Sequence, residues 1–318
     1  MTENMNITEA IAIDRDFDKL KAEAQKIQSL TADYTIGAKN LHMDDDLNIV
    51  FDNMRMPMSA FASSGLCGKL KIPTVYFNRC AAENPQLAAT NINSWLTDDS
   101  RNFMLRTYDG RIRGCLSASY SKFDAPDLLT ALDEALGMDN YKLKGSFINE
   151  ERLHIRLVEK EMLPIDGEDL FAGITIDSSD IGRSGLYVQF FIYKQVCTNG
   201  LIVPKSSGRL FKQKHIGISS EEFKEGLLDG LTKFDEIKES SIEMIKRNKE
   251  IPSGEEILDE IRDKTKLTED VVEEVIHLVD SSYDRSRWGI INGITEIAQN
   301  YSLERRLQLE AIAGEMLK

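Results

Sequence analysis

Two stretches of the 318-residue chain gather cations beside aromatic rings. From Gly182 to Gly217 the sequence holds Arg183, Lys194, Lys205, Arg209, Lys212 and Lys214 and no acidic residue, although the formal net charge of the chain is -14. Tyr187, Tyr193 and Phe211 are interleaved with them. Between residues 101 and 123, Arg101, Arg106, Arg111, Arg113 and Lys122 face a single acid, Asp109, with Tyr108 and Tyr120 close by. Single-stranded nucleic acid requires this combination, cations for the phosphates and flat rings for the bases. The eleven cations are therefore expected phosphate contacts, and Tyr108, Tyr120, Tyr187 and Tyr193 expected base stackers. A solvated sheet edge, where Lys discourages edge-to-edge pairing, would give the same pattern.

Other chemistry has less to stand on. The chain lacks G-x-S-x-G, a Gly-rich loop ending in Lys-Ser/Thr, and a dinucleotide fingerprint. Cys197 and His215 form a conceivable nucleophile and base, but the apolar flanks of Cys197 favour an inert buried thiol. Asp177 and Asp180 lack the third carboxylate that a nuclease-type Mg²⁺ site needs, and read as turn residues. Asp44-Asp45-Asp46 reads as a solvated turn. Four Cys (67, 80, 115, 197) and four His (42, 154, 215, 277) have neither C-x-x-C nor H-x-x-x-H spacing. The expectation is a protein that is not an enzyme, with no catalytic residues, no metal and no cofactor.

Composition sets the frame. The chain is 42% hydrophobic and 29% charged, typical of a globular protein. No apolar run reaches the roughly 20 residues that span a bilayer, and the acidic N-terminus lacks a basic leader. A cytoplasmic location is expected. The acid lies in the flanks, with -5 on residues 1–50 and -7 on residues 251–300.

The elements that must carry the cations follow in order. An acidic segment, 1–46, contains one amphipathic helix from Phe17 to Leu30. Leu47–Phe51 is a short strand. Ser59 caps a helix that Gly68 stops, Pro73 starts an extended piece, and Asn84-Pro85 opens a helix whose spacing puts Trp95 in the core. Asp109-Gly110 joins a hairpin by a tight primed turn, which places Arg111 and Arg113 on one strand face. A helix follows from Asp124 to Leu136, then strands near 141–148, 153–158 and 170–176. The run Leu186 to Val196 has bulk on both faces and reads as a strand buried on both sides. From Ser219 onward only helical periodicity remains. The expected fold is α+β, a curved antiparallel sheet with packed helices over 47–218, followed by an all-helical C-terminal region over 219–318.

Several motifs together resemble the phage- and plasmid-type DUF932 proteins. These are Tyr193-Lys-Gln-Val-Cys-Thr-Asn-Gly-Leu-Ile202 with His215 beyond it, Ser179-Asp-Ile-Gly182, Leu105-Arg106 with Gly110-Arg-Ile-Arg-Gly-Cys-Leu-Ser-Ala-Ser-Tyr120, and Trp288-Gly-Ile-Ile-Asn-Gly-Ile-Thr-Glu296. The chain departs from the family pattern at Asp177-Ser178-Ser179, where Asn-Ser-Glu is expected. The element order is also similar to the core of the Rad52-type single-strand annealing proteins, which assemble into rings and pair strands without ATP. The resemblance implies a DNA recombination factor acting as a homo-oligomer, ring or filament, on single-stranded DNA, with phage or host recombination proteins as further partners. The alternative is an anti-defence or regulatory protein-interaction factor acting through its acidic surface.

Overall fold

A computed structural model describes residues 11–12, 16–194, 199–202, 208–213, 219–265, 268–281 and 284–317. The first elements are β1 (Ile11–Ala12), α1 (Phe17–Ser29), β2 (Thr31–Gly37), β3 (His42–Met43), β4 (Ile49–Phe51) and β5 (Met54–Met56). Three helices follow, α2 (Ala60–Leu70), α3 (Thr74–Glu83) and α4 (Pro85–Thr97). Then come the hairpin β6 (Asn102–Tyr108) and β7 (Arg111–Ser117), helix α5 (Ala125–Leu136), and strands β8 (Tyr141–Ile148), β9 (Leu153–Met162), β10 (Leu170–Ser178), β11 (Leu186–Lys194), β12 (Asn199–Ile202) and β13 (Arg209–Gln213). The remainder is helical: α6 (Ser220–Leu231), α7 (Phe234–Glu250), α8 (Glu255–Thr265), α9 (Glu269–Ser281), α10 (Arg287–Ile297) and α11 (Leu303–Glu315). The fold is the expected mixture of helices and open antiparallel sheets with a helical C-terminal part.

The largest sheet has the order β1-β8-β9-β10-β11-β12, with β13 also paired to β11. Its strands alternate. Leu153, Ile155, Leu157, Ile174, Ile176, Leu186, Val188, Phe190 and Ile192 point into the main core, which α5, α6, α7, α9 and α10 close. The intervening residues form a second face. Gly226 and Gly230 let α6 lie close on β13: a Cβ on Gly230 would stand 2.2 Å from the carbonyl oxygen of Leu210. A second core lies between the small sheets β2-β6-β7 and β3-β4-β5 and helices α2 to α4. Part of the acidic N-terminal segment thus enters the fold, because β2 pairs along its length with β6.

Local chemistry explains most boundaries. Asp16 and Ser59 accept backbone N–H groups at the starts of α1 and α2. At the β6–β7 turn, Asp109 and Gly110 both have positive φ (46° and 73°), as a primed turn requires. Three expectations fail. Gly68 lies inside α2, which ends where Lys71 turns left-handed at φ 58°. Pro73 precedes a helix, α3, whose Phe77 and Cys80 are buried. Trp95 is 60% exposed rather than core. In α4 the buried stripe is Ala88, Ile92 and Leu96, and Trp95 belongs to the neighbouring stripe with Leu87 and Asn91.

Candidate functional site

The hairpin window is a structural hub. Arg106 is fully buried. Its guanidinium donates to Asp33 (2.8 Å), to both oxygens of Asp124 (2.7 and 2.6 Å) and to the carbonyl of Asp180 (2.8 Å). Arg113 is the extra residue of a bulge, since Arg106 pairs with Gly114 and Thr107 with Ile112. The alternation breaks there, and the Arg113 side chain turns inward to meet Asp180 with two 2.8 Å hydrogen bonds. Burial is the largest influence on Arg106 and favours its neutral form, but Asp124 and Asp180 outweigh it and raise its pKa. Burial likewise dominates at Asp124 and raises that carboxyl. Asp33 is held below the usual range, because Arg106 and Lys122 overcome its burial.

The family-like motif residues meet at this hub. Tyr120 Oη donates to the carbonyl of Ser179, and Ser179 Oγ to the carbonyl of Glu151. A Cβ on Gly114 would lie 3.0 Å from Ile181, and one on Gly182, at φ 82°, 3.1 Å from Leu116. The motifs therefore fasten the loop after β10 onto the hairpin.

Arg106 and Arg113, expected to hold phosphates, are thus closed off from solvent. The other cations of the hairpin window are each matched: Arg101 to Asp99, Arg111 to Glu150 (3.0 Å) and Lys122 to Asp33 (3.1 Å). In the second window Arg183 pairs with Glu151, and Lys194 with Glu168 (3.1 Å). Lys205, Lys214, Cys197, His215 and Thr198 lie outside the described residues. Among the described residues, Arg209 and Lys212 are the two window cations with no carboxylate partner.

Register places these two together on the second face of the large sheet. One cross-strand row runs His154, Asp177, Tyr187, Lys212; the next runs Arg156, Thr175, Gln189, Arg209. Two further rows, Val158-Gly173-Phe191 and Phe171-Tyr193, are covered by Leu307 and Ala311 of α11. Tyr193 is therefore buried and not free to stack. Tyr108 sits half-buried at the hairpin turn, away from this face.

Between the two polar rows and α11 lies a cleft of about 340 Å³. Arg152, His154, Thr175, Asp177, Ser184, Tyr187, Gln189, Arg209 and Lys212 line it from the sheet, and Glu304, Leu307, Gln308 and Ala311 from the helix. Lys212 Nζ lies 5.4 Å from the centre of the Tyr187 ring. Asp177 is engaged on several sides. Arg152 Nε reaches both its oxygens at 3.0 Å, Ser184 Oγ donates to Oδ1 at 3.0 Å, and His154 Nδ1 stands 3.5 Å from Oδ2. Burial would raise Asp177, but His154 and then Arg152 bring it below the usual carboxylate range. His154 is lowered by burial, which Asp177 offsets in part. The Thr175 hydroxyl is buried with no hydrogen-bond partner among the described residues.

The helical wall is fixed. Arg156 forms a buried pair with Glu310, which also accepts from Arg306 at 2.9 Å. The other side of α11 places Leu309 and Ala313 in the main core, and Met316 and Leu317, just beyond the helix, join them there. In the cleft Ser184 bonds to Asp177 rather than to His154, so the hydroxyl and imidazole are not coupled as nucleophile and base. No group of three or more His, Cys, Asp or Glu suited to a metal ion occurs among the described residues, and no helix there is long and apolar enough to cross a membrane.

The cleft was half legible from sequence. Tyr187, Arg209 and Lys212 belong to the expected set. Arg152, His154, Thr175 and Gln189 were missed, because each is an ordinary residue of its strand until register lines them up. In β9 and β10 the signal was the polar pairs His154/Arg156 and Thr175/Asp177, each two residues apart with an apolar residue between. Residues 114–313 match the family model described as Domain of unknown function (DUF932). No curated protein and no solved structure matches the chain.

Proposed function

The chain belongs to the DUF932 family, and from the chemistry of the cleft we propose that it binds single-stranded nucleic acid, in the cytoplasm, without reacting on it. The observation that carries this reading is the meeting of Arg209 and Lys212, the window cations without carboxylate partners among the described residues, beside Tyr187 in one cleft. Cations not neutralised by the protein attract phosphate, and a half-exposed ring beside them offers a stacking surface. Annealing of complementary strands is the activity proposed, since it needs positioned backbones and no bond chemistry.

Annealing by this route uses several copies of the protein. The surface suited to self-association is the outer side of α3 and α4. Helix α4 carries no charged residue over 13 positions, and Val75, Tyr76, Leu87 and Trp95 are exposed on this pair. Tyr76 Oη accepts from Asn91 at 3.1 Å and ties the two helices into one surface. Helix α4 adds no charge to this surface, and the exposed Arg79 and Glu83 of α3 pair with each other at 3.2 Å, so two copies of a chain at -14 repel little along it.

The test is fluorescence anisotropy with a labelled 40-nucleotide strand at low salt, on the wild type and on Arg209→Glu with Lys212→Glu. Binding by the wild type and its loss in the double variant is the expected result. Equal binding by both proteins removes the cleft from the reading, and no binding by either removes the reading.

A further inference from the structure

We propose that the cleft holds one nucleotide of the strand, with its base inserted against the floor and its phosphate at the mouth; this rests on the nucleic-acid reading above.

The first argument is size. A cavity of about 340 Å³ falls at the small end of ligand pockets and suits one compact ligand, not a length of polymer. Toward Phe191 and Tyr193 it cannot lengthen into a groove along the sheet, because α11 covers these rings and is itself anchored in the main core by Leu309 and Ala313. A strand crossing this surface can engage the cleft through a single unit.

The second argument is the distribution of chemistry with depth. Arg209 and Lys212 are exposed, at the rim. Gln189 and Thr175 are neighbours on paired strands and lie deeper, one half-buried and the other 5% exposed. Below the two rim cations, Gln189 and Thr175 present neutral hydrogen-bonding groups beside an Asp177 carboxylate already engaged by Arg152, Ser184 and His154, and this arrangement matches a ligand with an anionic group at one end and a polar, uncharged ring edge at the other. An amide offers a donor and an acceptor side by side, as a base edge does. Thr175 Oγ1 has a donor and acceptor capacity that the described residues leave unused. Tyr187, between these levels, supplies the ring. A simple anion would need the rim alone and would leave the floor unused.

The experiment competes the labelled 40-nucleotide strand from the wild-type protein with deoxynucleoside monophosphates, deoxyribose 5-phosphate and inorganic phosphate. The mononucleotides are expected to compete at least about tenfold better than the two base-free anions. Gln189→Leu is expected to reduce that advantage while leaving competition by phosphate unchanged, which a collapsed fold would not do. If the strand binds but mononucleotides compete no better than deoxyribose 5-phosphate, the single-nucleotide pocket is wrong and strand binding stands. If the strand itself does not bind, the underlying reading falls and this inference with it.

Discussion

The guanidinium of Arg113 lies fork against fork on the carboxylate of Asp180, with both hydrogen bonds at 2.8 Å. The Arg113 side chain is 2% exposed. Removing the acid leaves a buried cation without its main counterion, which typically costs about 3–5 kcal/mol. Asp180→Ala is therefore expected to lower stability by that order in urea denaturation. A loss under about 1 kcal/mol would mean that the hub contributes little.

The hairpin window makes the opposite kind of prediction for binding. Arg101, Arg111 and Lys122 already have carboxylate partners. Reversal to Glu at Arg101 and Lys122 is expected to change strand affinity less than about twofold, within the range of weak exposed pairs. A tenfold loss would restore the hairpin as a phosphate contact.

Salt dependence counts the phosphates engaged. For a single strand the slope of log affinity against log salt is about -0.7 per neutralised phosphate. Two cations, Arg209 and Lys212, give roughly -1.4, and six give roughly -4. A titration from 50 to 300 mM salt separates these values, and the shallow slope is expected.

Glu304 stands exposed on the helical wall of the cleft. It opposes the field of the two cations. Glu304→Gln is expected to tighten strand binding a few-fold at low salt, with the gain shrinking as salt screens it. Weaker binding in this variant would indicate that the carboxylate contacts the ligand.

Self-association is assigned to the exposed apolar residues of α3 and α4. Trp95→Glu is expected to convert an oligomer into a monomer by light scattering, without loss of thermal stability. A wild type that is monomeric at tens of micromolar rules out this surface.

His154 gives the fold a pH dependence. Its pKa lies below the ordinary 6.5, foremost through burial, with Asp177 opposing and Arg156 and Arg152 nearby. The folded state keeps the imidazole neutral where the unfolded chain takes up a proton. Its contribution to stability is therefore complete above pH 6.5 and declines as pH falls below it, by at most about 1.4 kcal/mol per unit. The melting temperature should drop between pH 7.5 and 5.5, and more steeply in the wild type than in His154→Gln.

Patterns with a local cause could be read from the chain. Asp109-Gly110 gives the hairpin, Ser59 the start of α2, and runs of β-forming residues the strands of the large sheet. Facts that depend on distant partners could not. Arg106 looked like a surface cation because Asp33, Asp124 and Asp180, which neutralise it, are far away in sequence. Trp95 looked like core because a helix's period does not reveal which of two adjacent stripes faces inward. The bulge at Arg113 moved a side chain from one face to the other, which a regular alternation cannot anticipate.

The arrangement of α11 bears on how the chain is made. Phe171, Phe191 and Tyr193 are covered by a helix that lies about a hundred residues further along the chain. At ribosomal rates of roughly 5–20 residues per second, these rings wait on the order of ten seconds for their cover. During that interval the nascent sheet presents an aromatic surface to whatever is nearby, and chaperone demand should concentrate there.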